Sequence, residues 1–153
     1  MHYVHKTDQG IHVKDAAGER TLNKGLLQYL NEQLIARLST YDGRMRAVKT
    51  ITGKKRHVPI LIDEACCLYT TDALRSPFVA CINYHAVLSV RRHESGTATV
   101  WFKDLTALNT TVPYETLAKR HARTGAFLRT LRQTLQQESV FSEAARMDFM
   151  HDI

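Results

Sequence analysis

"ITGKKRHVPILID", residues 51–63, carries the reading of the fold: Lys54, Lys55, Arg56 and His57 run directly into the apolar stretch Val58–Ile62, which stops at Asp63. A continuous apolar run fits a strand covered on both faces, and Pro59 places it near a sheet edge or at a strand start, because proline has no N–H for a ladder. Asp63 is suited to end the strand, through local hydrogen bonds of its carboxylate or by pairing with an arginine. The cations ahead of it fall in a loop, and that much positive charge at the mouth of a core strand calls for an anionic partner.

Working outward, "CCLYT" (66–70), "FVACIN" (78–83) and "AVLSVRR" (86–92) follow as short β segments, and "TATVWF" (97–102) and "ALNTTV" (107–112) flank the turn residues "KDLT". Five or six strands in succession suggest an antiparallel meander. On the N-terminal side, "HYVHK" and "IHVKD" alternate apolar and polar around "TDQG", the pattern of a hairpin. Leu22, Leu26, Leu27, Leu30, Leu34, Ile35 and Leu38 then recur at helical spacing, predicting an N-terminal helix with one buried face. It is expected to end in "STYDGR" (39–44), where Gly43 can take the left-handed backbone of a sharp turn.

A long C-terminal helix is expected from Pro113, with Glu115 at the positive end of its dipole. Leu117, Thr124, Leu128, Leu131 and Leu135 share one face, while Lys119 and Arg123 point the other way. Ser139 is a candidate cap for a last short helix carrying Phe141, Met147, Phe149 and Met150. The fold class read from these elements is α+β, an antiparallel meander of about five or six strands with an N-terminal helix and a long C-terminal helix. Its length of 153 residues suits a single domain over residues 1–153.

Charge narrows the partner. The chain carries 21 Lys and Arg against 15 Asp and Glu, a net charge of +6 that favours polyanions. Its distribution is uneven. Arg44, Arg46, Lys49, Lys54, Lys55 and Arg56 lie in one acid-free stretch, and Lys119, Arg120, Arg123, Arg129 and Arg132 lie in another. Solvated surfaces are normally mixed in sign, so both stretches are candidate binding surfaces, the second also able to remain merely solvated. No apolar run approaches membrane-span length and the N-terminus lacks a secretory apolar core, so a cytoplasmic protein is expected.

The chain lacks the glycine-rich phosphate loops, the nucleophile elbow and the paired-histidine zinc helix. No cofactor or metal is expected. Cys66, Cys67 and Cys81 are read as reduced thiols packed as small hydrophobes. A metal-dependent nuclease would need clustered carboxylates, and beside the basic segment Asp63 and Glu64 are the available pair; strand neighbours point to opposite faces. Trp101 lies on the polar side of its strand, where it either meets a partner or is buried beneath a helix, the commoner fate of tryptophan.

The order of "STYDGR", "VPILID", "LYTT" (68–71), "TATVWF" and "RTGAFLRTL" (123–131) resembles the ComK family of competence transcription factors over roughly residues 39–132. The resemblance implies a bacterial DNA-binding activator that works as a homo-oligomer on AT-rich sites of double-stranded DNA and approaches the minor groove. By position, the family's elements fall on Ser39, Tyr41, Gly43 and Arg44, and on Pro59, Ile60 and Asp63. It also implies turnover by adaptor and protease machinery, for which "RMDFM" (146–150) is the candidate segment. This chain departs from relatives at Val79–Ile82, where an aromatic is missing, and at Asp104-Leu105, which replaces an Asn-Gly turn. Leucine resists the positive φ such a turn requires.

On this reading Arg44, Arg46 and Arg56 enter a narrow minor groove, Lys49, Lys54 and Lys55 neutralise phosphates, and Lys119, Arg120, Arg123 and Arg129 form a supporting surface. Two other classes stay open: a Mg²⁺-dependent nuclease, and a basic RNA- or ribosome-binding protein without sequence preference.

Overall fold

The computed structural model describes the backbone of residues 1–151 and the side chains of residues 1–137. The α+β class, the antiparallel sheet and the long C-terminal helix stand as read. The strands, however, divide between two sheets. Strands β1 (Tyr3–Thr7), β2 (Gly10–Asp15), β3 (Gly18–Leu22), β4 (Ile60–Asp63), β5 (Cys66–Thr70) and β6 (Ala80–Asn83) form one antiparallel sheet in the order β3-β2-β1-β6-β5-β4. Strands β7 (Val87–Arg92), β8 (Thr97–Phe102) and β9 (Ala107–Pro113) form a three-stranded meander of their own.

One buried amide organises the changeover between sheets. Asn83 Oδ1 accepts from the Cys67 and His85 N–H groups at 3.1 and 3.2 Å, and Nδ2 donates to the Met1 and Ala65 carbonyls at 2.8 and 3.1 Å. Its donors and acceptor are matched in the interior, as a buried polar group requires. A 3-10 turn, Tyr84–Ala86, then carries the chain into the second sheet.

Helices α1 (Leu26–Ile35) and α2 (Tyr41–Thr52) cover one face of the large sheet, where Leu26, Leu30 and Leu34 pack on Val4, Ile11, Ile60 and Ile62. The other face meets the second sheet and helix α3 (Tyr114–His151): Tyr3, Tyr69 and Ile82 are buried with Val100, Phe102 and Leu117. Alternation along β4 serves both sides, since Ile60 and Ile62 join the α1 cluster while Leu61 packs with Phe127 of α3.

Several expectations need correction. Leu22 ends β3 rather than opening a helix, and α1 begins only at Leu26. Gly43 is not a left-handed turn; it lies in the first turn of α2, where its N–H donates to the Thr40 cap at 3.1 Å. A Cβ there would fall 2.9 Å from Thr40 Oγ1, so the cap itself favours glycine. The left-handed residue is Leu38, with φ 60°, where Ser39 N–H closes α1 onto the Leu34 carbonyl at 2.9 Å. The expected loop over residues 44–57 is therefore largely helix, ending at Gly53 with φ 70°. Tyr41, Met45 and Val48 supply its apolar stripe, which the cations around them obscure in the sequence.

Helix α3 is continuous, with no break at Ser139; the side chains of Ser139, Phe141, Met147, Phe149 and Met150 lie outside the described residues. Leu117, Thr124 and Leu131 are buried as expected, joined by Phe127, but Leu135 is 48% exposed. Trp101 is 38% exposed on the face of β8 away from α3, not beneath a helix.

Candidate nucleic-acid interface

Hydrophobic contact brings the two acid-free stretches together. Val48 of α2 is buried with Cys67, Phe127 and Leu131, and Val58, Leu61 and Leu128 pack around them. Helix α2 thus reaches past the β4 edge to touch α3, and the segment 53–59 bridges the two. Lys54 Nζ lies 5.9 Å from the centre of the Phe127 ring, a cation held over an aromatic face. His57 and Pro59 line one wall of a cleft of about 390 Å³ whose other wall carries Arg120 and Arg123.

The ten candidate residues divide by what holds them. Arg44 is half-buried, and its Nη1 donates to the Leu61 and Ile62 carbonyls at 3.1 and 3.2 Å. That fork covers the open edge of β4 and anchors α2 to the sheet, a structural duty that sequence spacing alone did not suggest. Arg46 and Lys49 are exposed; at about 100° per residue they lie roughly 160° and 100° around α2 from Val48, on its outward side. Lys55 and Arg56 are exposed in the bridging segment, and Lys54 is partly covered by Phe127.

On α3, Lys119 and Arg123 are exposed one turn apart, and half-buried Arg120 donates from Nη1 to the Thr70 carbonyl at 3.0 Å. Arg129 is exposed too, but six residues beyond Arg123 it falls roughly 120° away on the opposite flank. Contacts tie Arg44, Lys54 and Arg120 to the elements of the α2–α3 junction and Arg123 to the adjoining cleft, whereas Arg46 on α2 and Arg129 on α3 are turned away from the seam. Among the described residues none of the ten forms an ion pair with a carboxylate. Arg37, by contrast, holds Asp63 at 2.7 Å and Arg92 holds Glu115.

Behind the cleft, Tyr69 Oη and His121 Nδ1 are 3.0 Å apart, and the His121 ring stacks on Tyr84 at 4.6 Å. Burial lowers the pKa of His121, favouring the neutral imidazole, and raises that of Tyr69. This node ties α3 to the large sheet and to the 3-10 turn that leads into the second, and was not read from the sequence, since its three members are far apart along the chain.

The side chains weighed for other chemistries are engaged or buried. Asp63 gives one oxygen to Arg37 and the other to the Ala65 N–H at 2.9 Å, which ends the strand in both of the ways expected of it. Its hydrogen bonds hold its pKa below the usual range despite partial burial. Cys66, Cys67 and Cys81 are free and buried; burial pushes the Cys66 thiol up to about 11 and the other two up to about 12, so all three stay protonated near neutrality. Among the described residues no helix is long and apolar enough to cross a membrane.

The class the structure defines is a two-sheet α+β scaffold whose α2, bridging segment and α3 carry cations that form no carboxylate ion pair among the described residues. The chain matches a family model described as ComK protein over residues 6–136, and it belongs to that family. The match extends the likeness well upstream of residue 39, through the N-terminal hairpin and α1. Membership suggests a competence transcription factor, in a family of transcription factors rather than enzymes. No curated protein and no solved structure matches the chain.

Proposed function

We propose that this protein is a sequence-selective, DNA-binding transcriptional regulator that lays the α2–α3 junction against the backbone of double-stranded DNA. The observation that carries the reading is the convergence of two distant acid-free stretches around Phe127, with no carboxylate ion pair to their candidate cations among the described residues. Lys49, Lys54, Lys55, Lys119 and Arg123 neutralise phosphates, while Arg46 and Arg56, exposed on α2 and the bridging segment, reach toward an AT-rich minor groove. Arg44 and Arg120 hold the scaffold beneath them through the Leu61, Ile62 and Thr70 carbonyls. The regulator acts as a homo-oligomer; exposed Leu27 and Ile35, near the two ends of α1, and Leu38 just beyond it offer contacts to a second copy.

One comparison tests this reading. Binding to AT-rich and GC-rich duplexes is measured at two salt concentrations, with and without Mg²⁺, and the DNA is then run on a gel. Tighter binding to the AT-rich duplex, weakening with salt and leaving the DNA intact, is expected. Equal affinity for both duplexes would place the chain among non-specific basic proteins, and Mg²⁺-dependent cleavage would make it a nuclease.

A further inference from the structure

The cleft between the approach to β4 and helix α3 has a form that general attraction to a polyanion does not require. At about 390 Å³ it exceeds the needs of a single ion and falls within the range of small-ligand sites. Arg120 sits in it half-buried, one arm fixed on the Thr70 carbonyl at 3.0 Å. A guanidinium so held loses little freedom on binding, and its remaining N–H donors match a phosphate edge. Arg123, one turn along, supplies a second cation on the same wall.

The rest of the lining narrows the ligand. Tyr69 Oη is engaged with His121 and Thr124 Oγ1 donates to the Arg120 carbonyl at 2.8 Å, so the buried wall presents its hydroxyls already in use. The rim bends at His57, whose φ of 52° is left-handed backbone that a non-glycine side chain disfavours. Such conformations persist where surrounding structure holds them and cluster at ligand sites. Asp72 also faces the cleft, kept ionised by the Ala73 N–H at 2.8 Å and by Ser76, with Arg120 and Arg75 adding to the effect. A fixed negative charge beside two arginines tolerates a singly charged guest better than a doubly charged one.

We propose that this cleft is a seat for one phosphodiester group, gripped by Arg120 and Arg123 and screened by Asp72 against phosphomonoester dianions. The proposal rests on the DNA-binding reading for the source of that diester, the duplex backbone. The seat itself can be tested without DNA.

The full chain, labelled with ¹⁵N, is titrated with dimethyl phosphate, a diester monoanion, and in parallel with inorganic phosphate and a nucleoside monophosphate, at about pH 7.5 where these two are mainly dianions, all at matched ionic strength against chloride. Dimethyl phosphate should move the Arg120 Nε–H and the Thr70 and Thr124 amide signals in a saturable way, with at least about tenfold tighter binding than the two dianions. Arg123→Ala, an exposed change that leaves the fold alone, should weaken that binding about tenfold, and Asp72→Asn should erase the preference for the diester. Signals that respond to none of the three anions, or respond identically in Arg123→Ala, would overturn the seat. Equal affinity for the diester and the two dianions in the unaltered chain would overturn the diester assignment. Failure of the DNA reading looks different: dimethyl phosphate then fills the cleft while duplexes do not bind, and the seat stands without its source.

Discussion

Removing Lys55 and Arg56 together tests the proposed interface most directly, because both are exposed and, among the described residues, neither is paired with a carboxylate or packs in a core cluster. Lys49, Lys54, Lys55, Lys119 and Arg123 are the proposed phosphate contacts, and Arg56 the neighbouring groove contact. If each of the five neutralises one phosphate, the logarithm of the binding constant should fall with the logarithm of salt at a slope of about −4.5, following roughly −0.9 per phosphate. Raising salt from about 50 mM to about 200 mM would then weaken binding about 500-fold. Lys55→Ala with Arg56→Ala should flatten the slope to about −3.6 or shallower and reduce that loss to about 150-fold. A dimer doubles both slopes and keeps their ratio. The assay is fluorescence anisotropy of a labelled AT-rich duplex across four salt concentrations, with thermal melts to confirm that the surface changes leave stability within about 0.5 kcal/mol. Arg129→Ala provides the control, since α3 turns that residue to the other flank; its slope should match the unaltered chain. A double variant that keeps the full slope, or an Arg129→Ala variant that loses as much as Arg123→Ala, would refute the interface.

Three further outcomes follow from local geometry. Leu105 adopts φ 68° at the β8–β9 turn while 69% exposed, so Leu105→Gly should relieve left-handed strain at little packing loss and stabilise the protein by about 1 kcal/mol in urea melts. A fall in stability would show that leucine contacts outweigh the strain. Gly125→Ala would bring a Cβ to 2.6 Å from Tyr84 Oη and push that ring off His121, destabilising by about 1–3 kcal/mol. Adding Tyr84→Phe removes that closest atom and should recover part of the loss; no recovery would place the clash elsewhere. The lowered pKa of His121 means that the unfolded chain binds its proton more readily, so this group's stability is full above about pH 6.5 and declines as pH falls through the folded value. His85 is lowered by burial and by Lys103 and adds to the same trend. Denaturation at pH 7.5 and 5.5 should show the decline, and His121→Gln should shrink it.

Apart from β3, whose Leu22 reads as the start of a helix, strands were the legible part of this chain, for a physical reason. Alternation or continuity of apolar residues is a local property, and Pro59 marks β4 as an edge strand without reference to anything distant. The Asp104-Leu105 departure was equally readable: a leucine where the turn demands positive φ predicts strain, and φ 68° is what the turn contains. Division into two sheets was not legible, because it depends on Asn83 collecting groups from Met1, Ala65, Cys67 and His85. Helix α2 escaped for a different reason. Its buried stripe of Tyr41, Met45 and Val48 is thin, and the cations that suggested a loop are the outward face of that helix.

The interface shows the same divide. Charge content survives in composition, yet composition cannot distinguish Arg46, exposed on α2, from Arg44, which holds the Leu61 and Ile62 carbonyls. What aligns the two stretches is the uncharged contact of Val48 with Phe127, a residue that no reading of motifs or charge selects. Shortening Phe127 to alanine would therefore weaken polyanion binding without touching a cation, by loosening α2 from α3 and removing the ring beneath Lys54. The positive surface is in this sense a property of a hydrophobic seam: the cations provide the attraction, and the seam fixes where they stand relative to one another.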